Sequence, residues 1–177
     1  PPSAADRYFV WVTGWVSSLA GPKLATKDAT SERPKTSADG RYVAFESTAS
    51  FVALDDNGQA DVYVRDLLTD KVDLVTVSAD GKSAVGTSNL VGISSDGRYV
   101  AFSTAASDVV SGDTNNTSDI FRRDRVAKTT VLVSKTSGGA KLTTDTPAFG
   151  RAAMSANGRY VVFNSKDPAL IDPDSNT

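Results

Sequence analysis

The chain has no cysteine and no histidine. Without cysteine there is no disulfide, no thiolate nucleophile and no zinc–thiolate site. Without histidine the commonest general base and the commonest transition-metal ligand are missing, and neither a Ser-His-Asp nor a Cys-His arrangement can be built. Long apolar runs are absent as well: none approaches the ~20 residues of a membrane-spanning helix, so no membrane insertion is expected. Charge is balanced, with 19 Lys+Arg against 21 Asp+Glu and a formal net charge of −2. That leaves no basic footprint for nucleic acid. No segment of more than a few residues repeats its apolar positions with a helical period, and nothing resembles a phosphate-cradling glycine loop. The first residue is Pro1 rather than methionine, which reads as a processed or excised product without a signal peptide.

What is present is an internal repeat. Ser-Ala-Asp-Gly-Arg-Tyr-Val-Ala-Phe occupies Ser37 to Phe45, returns with one change at Ser94 to Phe102, and returns again as Ser-Ala-Asn-Gly-Arg-Tyr-Val-Val-Phe at Ser155 to Phe163. The copies are 57 and 61 residues apart, the spacing of stacked supersecondary units. In each, an Asp-Gly or Asn-Gly turn feeds a short run that is apolar on both faces: Tyr42 and Ala44 point one way, Val43 and Phe45 the other. Such a strand suits a sheet covered on both sides. Strands are expected at Arg41 to Ser47, Asp61 to Asp66 and Val72 to Ser78. They recur at Val91 to Ser94, Arg98 to Thr104, Ile120 to Asp124 and Thr130 to Ser134, and a third time at Ala153 to Ser155 and Arg159 to Ser165. Gly21 to Arg33 reads as a connection. Four short strands per unit, with turn residues between them, predict an all-β fold built of four-stranded antiparallel blades.

The nonapeptide, followed downstream by Asp61-Val-Tyr-Val-Arg65-Asp66 and Asp119-Ile-Phe-Arg-Arg-Asp124, resembles the WD40-like PD40 repeat of TolB-like β-propellers. The resemblance covers nearly the whole chain, 1–177, as a single propeller segment with units at roughly 34–90, 91–151 and 152–177. The last of these is completed by strands equivalent to 6–20. It implies a binding or scaffold module, secreted or periplasmic, engaging a protein or a carbohydrate through loops and a central channel. The alternative it implies is the non-catalytic propeller portion of a secreted hydrolase or lyase. Three blade equivalents leave sheet edges and faces open, so a partner is expected: a second copy giving a six-bladed ring, or a second chain left after proteolysis of a larger propeller.

Two kinds of position invite a chemical reading. Asp55-Asp-Asn57-Gly-Gln-Ala-Asp61 aligns with Asp113-Thr-Asn115-Asn-Thr-Ser-Asp119, and Asp174-Ser-Asn176-Thr177 begins a third copy whose last carboxylate could be Asp6 of another chain. Closely spaced oxygen ligands suit Ca2+. Asx-turns, with Asp61 and Asp119 capping backbone N–H groups at a strand entrance, explain the same spacing. The recurring Arg65-Asp66 and Arg123-Asp124 read as exposed or inter-blade ion pairs, and Arg41, Arg98 and Arg159 as structural because every unit has one. Trp11 and Trp15 offer either a stacking platform or packing.

Overall fold

The computed structural model describes residues 30–136, 138–144 and 152–170. Over these residues the protein is all-β, with ten strands and one short 3-10 turn at Pro168–Leu170. Three antiparallel sheets follow one another along the chain. The first runs β1 (Ser31–Thr36), β2 (Tyr42–Ser47), β3 (Asp61–Asp66), β4 (Lys71–Leu74), and the second β5 (Ser88–Ile93), β6 (Tyr99–Thr104), β7 (Asp119–Asp124), β8 (Thr129–Leu132). In both, neighbours in sequence are neighbours in the sheet. The third sheet has two strands, β9 (Ala153–Met154) and β10 (Val161–Val162). No helix among the described residues is long and apolar enough to cross a membrane.

The strands that carry the repeated motif form where the pattern predicts them. The register is unbroken from Tyr42 opposite Asp66 to Ser47 opposite Asp61, and from Tyr99 opposite Asp124 to Thr104 opposite Asp119. Elsewhere the structure departs from the expectation. Ser31 to Arg33 belongs to a strand rather than a connection. All six residues of β1 are exposed, so no apolar alternation marks it, and it exists because it pairs with β2. Its register slips between Glu32 and Lys35, where Pro34 lacks a donor and Arg33 takes a φ of 50°. A bulge is where a strand tolerates proline. The strand expected over Val72 to Ser78 ends at Leu74. Val77 N–H turns back to the Val75 carbonyl at 2.9 Å, and the Ser78 hydroxyl closes a tight loop onto the Lys82 carbonyl at 3.0 Å. The third unit is shorter than expected in both strands.

The two faces of β2 and β3 divide the core. Ala44, Val62 and Val64 point into a cluster with Leu90, Val100, Phe102, Val109 and Phe121, which joins the first sheet to the second. Phe45 and Tyr63, one residue out of phase, join Phe51, Leu74 and Val77 on the opposite face. A third cluster sets Val91, Ala101 and Ile120 of the second unit against Met154, Val161 and Phe163 of the third. Each of the two four-stranded sheets is thus apolar on both sides, as a stacked sheet must be.

The stack is clamped at both ends by contacts that repeat. At one end the Ala38 N–H donates to the Ser95 carbonyl at 3.0 Å, and the Ser95 N–H donates to the Ala156 carbonyl at 2.6 Å. Beside these bonds the Tyr42 ring lies on Gly97 and the Tyr99 ring on Gly158. Both glycines have positive φ, 71° and 66°. At the other end the Asp108 carboxylate accepts from the Val85 N–H at 3.1 and 3.2 Å. Asp167 does the same for Thr143 and Thr144 N–H, 58 residues further on from Val85 in the case of Thr143. Each unit therefore grips the one before it through a carboxylate on its long loop and a glycine in its tight turn.

Candidate functional site

The long loops that carry Asp55, Asn57 and Asp61, and Asp113, Asn115 and Asp119, sit at the Asp108–Asp167 end of the stack. Their geometry is nearly identical in the two units. The Asn57 amide donates to Asp61 Oδ2 at 2.9 Å and to the Ala84 carbonyl at 2.7 Å, while its Oδ1 accepts from the Gln59 N–H at 2.6 Å. Asn115 donates to Asp119 Oδ2 at 2.8 Å and to the Leu142 carbonyl at 2.9 Å, and accepts from the Thr117 N–H at 3.1 Å. The second oxygen of each strand-entrance carboxylate is also engaged. Asp61 Oδ1 accepts the Thr76 hydroxyl, and Asp119 Oδ1 accepts the Ser134 hydroxyl at 2.6 Å. Those hydroxyls in turn accept from Val62 N–H and Ile120 N–H, at 3.3 and 2.9 Å.

This is an Asx-turn tied through a buried carboxylate to the neighbouring strand and to the connection that leads to the next unit. Asp61 and Asp119 are both fully buried. Burial pushes the Asp61 carboxyl up to about 6, against the lowering effect of the Thr76 and Asn57 hydrogen bonds. Burial raises Asp119 as well, opposed by Ser134 and Asn115. The amide nitrogen of Asn57 faces Asp61 and its oxygen faces the Gln59 N–H. Among the described residues no three Asp or Glu side chains gather as a metal-holding group. Asp174 and Asn176, together with Asp6, Trp11 and Trp15, lie outside the described residues.

Asp55 and Asp113 differ from each other in what holds them. Asp55 Oδ2 accepts the hydroxyl of Tyr63, whose own ionisation is pushed up by burial and then by that carboxylate. In the second unit the tyrosine is replaced by Phe121, and Asp113 instead has the Lys141 ammonium 3.5 Å from its Oδ1. Lys141 is 28 residues from Asp113 in sequence, and the 58-residue alignment of the two units is the one signal that could have exposed the exchange.

The opposite end of the stack is rich in arginine and tyrosine. Arg41 grips Asp66 with Nε at 3.0 Å and Nη2 at 2.7 Å, and Arg98 grips Asp124 with Nε at 3.1 Å and Nη2 at 2.7 Å. The Arg41 guanidinium holds the Asp66 carboxyl well below the usual carboxylate range, and Arg98 pulls Asp124 down to about 2. This corrects the reading of Arg65-Asp66 and Arg123-Asp124 as pairs. Adjacent strand residues face opposite sides of the sheet. Asp66 and Asp124 accordingly reach across to the arginine of the repeated motif, while Arg65 pairs with Asp70 and Arg123 donates to Thr130 at 3.0 Å.

The motif tyrosine of each of the first two units also carries two guanidinium groups over its ring. Arg41 and Arg125 lie 4.8 and 4.9 Å from the Tyr42 centroid, and Arg98 and Arg122 lie 5.0 and 4.8 Å from that of Tyr99. Arg125 and Arg122 then donate to the carbonyls of Gly97 and Gly158, at 2.7 and 2.9 Å. Cation–π contacts of this kind are worth roughly 0.5–2 kcal/mol each, so the arginines are best read as fasteners of the glycine docking. The chain matches no protein-family model, no curated protein and no solved structure.

Proposed function

We propose that the protein is a non-enzymatic binding and scaffold module, an arc of a TolB-like β-propeller that offers its long loops to a protein or carbohydrate partner. The observation that carries this reading is the repetition of one junction. Tyr42 on Gly97 and Tyr99 on Gly158, each beside the same turn-to-turn hydrogen bond, join three successive sheets in the same way. Twisted sheets that step by one constant junction curve round, and four-stranded antiparallel sheets arranged so are the blades of a propeller. Rigid blades hold loops at two rims, which suits recognition. An extracellular or periplasmic location goes with the same resemblance.

The third unit supports completion by a second copy. Tyr160 and Val162 stand 61% and 64% exposed, although the equivalent Tyr42 and Tyr99 are half-buried and Ala44 and Ala101 fully buried against the next sheet. Light scattering during gel filtration tests this: a mass near twice 18.5 kDa is expected, and a mass of one chain overturns closure by a second copy. Titration calorimetry against defined polysaccharides and extracellular proteins tests the binding role. Saturable binding without new reducing ends or peptide fragments is expected. Turnover of a bound polymer by the pure protein overturns the non-enzymatic reading.

A further inference from the structure

The first two units superimpose in sequence at an offset of 58 from Leu54 to Ala84, and the structure keeps that register. The isolated bridge of Val77 with Ser83 corresponds to that of Lys135 with Lys141, and the Asn57 bond to the Ala84 carbonyl to the Asn115 bond to the Leu142 carbonyl. Within this frame one exchange stands out. In the second unit the Lys141 ammonium donates to the Gly112 carbonyl and faces Asp113 Oδ1. In the first unit the position of that lysine is Ser83. The positive charge is gone, yet the carboxylate remains: Asp55 is only 5% exposed, and Ser83 equally so. The tyrosine that replaces Phe121 supplies a donor to Asp55 Oδ2 alone. Asp55 Oδ1 and the Ser83 hydroxyl are both buried without a hydrogen-bond partner.

A buried carboxylate oxygen without a donor is costly, and its counterpart in the second unit is matched by a cation. We propose that the first unit binds a monovalent alkali cation, sodium or potassium, against Asp55 Oδ1 and Ser83 Oγ, supplying the positive charge that the Lys141 ammonium supplies in the second unit. The chemistry fits in three respects. Both atoms are oxygens, which hard cations prefer. Both oxygens of the neighbouring Asp61 are already taken by Thr76 and Asn57, so the buried Asp55 Oδ1 is the carboxylate oxygen left to meet a cation. The backbone carbonyl of Leu54 is in register with the Gly112 carbonyl that accepts from Lys141, and so offers a third oxygen.

The test is thermal unfolding at constant ionic strength and pH 7, with N-methylglucamine chloride replaced stepwise by NaCl or KCl. The melting temperature is expected to rise hyperbolically, by about 3–5 °C at tenfold the half-saturating concentration. Ser83→Lys is expected to melt higher than the parent in N-methylglucamine and to ignore the alkali salt. Thallium(I) NMR on the unsubstituted protein gives a readout independent of any variant: a bound signal displaced by potassium is expected. Identical melting curves in all monovalent salts, with no bound thallium signal, overturn the proposal and leave a water in the site. A larger rise with CaCl2 that EGTA erases also overturns it, in favour of a divalent ion held by the loop.

Discussion

Gly97→Ala will lower the unfolding free energy by about 2–5 kcal/mol, and Gly58→Ala by no more than about 1–2 kcal/mol. Both glycines have nearly the same left-handed backbone, with φ of 71° and 68°, so the cost of placing an L-side chain there is shared. What differs is the space. A Cβ on Gly58 would meet nothing within 4 Å, whereas one on Gly97 would enter the Tyr42 ring. That ring cannot swing away freely, because Arg41 and Arg125 lie over it and Arg125 is anchored to Asp73 at 2.5 Å and to the Gly97 carbonyl. Urea unfolding of Gly97→Ala, Tyr42→Ala and the double variant closes a cycle. The coupling is expected to be at least about 1 kcal/mol and favourable, since removing the ring removes the clash. Additive effects would show that the tyrosine does not fix the junction. Gly158→Ala is a second instance of the same contact, with its Cβ 2.6 Å from Tyr99 atoms.

The junction also shows what the residues disclose on their own. The motif Ser-x-Asp/Asn-Gly-Arg-Tyr is readable as a turn entering a strand, and the structure puts strands β2, β6 and β10 after those turns. Its inner strand faces are readable too, because apolar residues at successive positions demand cover on both sides. The reason for glycine, arginine and tyrosine together is not readable within one copy. Tyr42 docks on a glycine 55 residues away, and Arg41 pairs with Asp66 across the sheet rather than with a neighbour along the chain. Strand β1 escapes notice because its pairing, and not its composition, makes it a strand. The candidate loops were located by spacing alone. Spacing could not tell that Asn57 donates to Asp61 while it accepts from the Gln59 N–H. Nor could it show that Tyr63 and Lys141 exchange roles beneath Asp55 and Asp113. Contacts local in sequence were legible, and those made between units were not.

Stability will fall as the pH rises from 4 to 7. Asp61 carries a carboxyl whose folded value of about 6 exceeds the ordinary 3.8, so the folded state binds a proton there more tightly than the unfolded chain does. Its contribution is complete below pH 3.8 and is lost as the pH climbs through 6. Each unit of difference corresponds to about 1.4 kcal/mol, which sets a ceiling of about 3 kcal/mol for this group. Asp119 acts in the same direction. Asp66 and Asp124 act in the opposite one: their arginine partners hold them low, so their contribution is present above the ordinary carboxylate value and is lost as the pH falls below it. The protein should therefore be most stable near pH 4–5. Urea midpoints measured from pH 3 to 8 give the profile, and Asp61→Asn identifies its origin. The amide oxygen can still accept from Asn57, and the amide nitrogen can donate to Thr76 once that hydroxyl turns. The variant is therefore expected to fold and to lose most of the decline between pH 4 and 7. A variant profile parallel to that of the parent would show that Asp61 ionises in the folded protein as it does in the unfolded chain, and that its buried place at the strand entrance exerts no electrostatic cost.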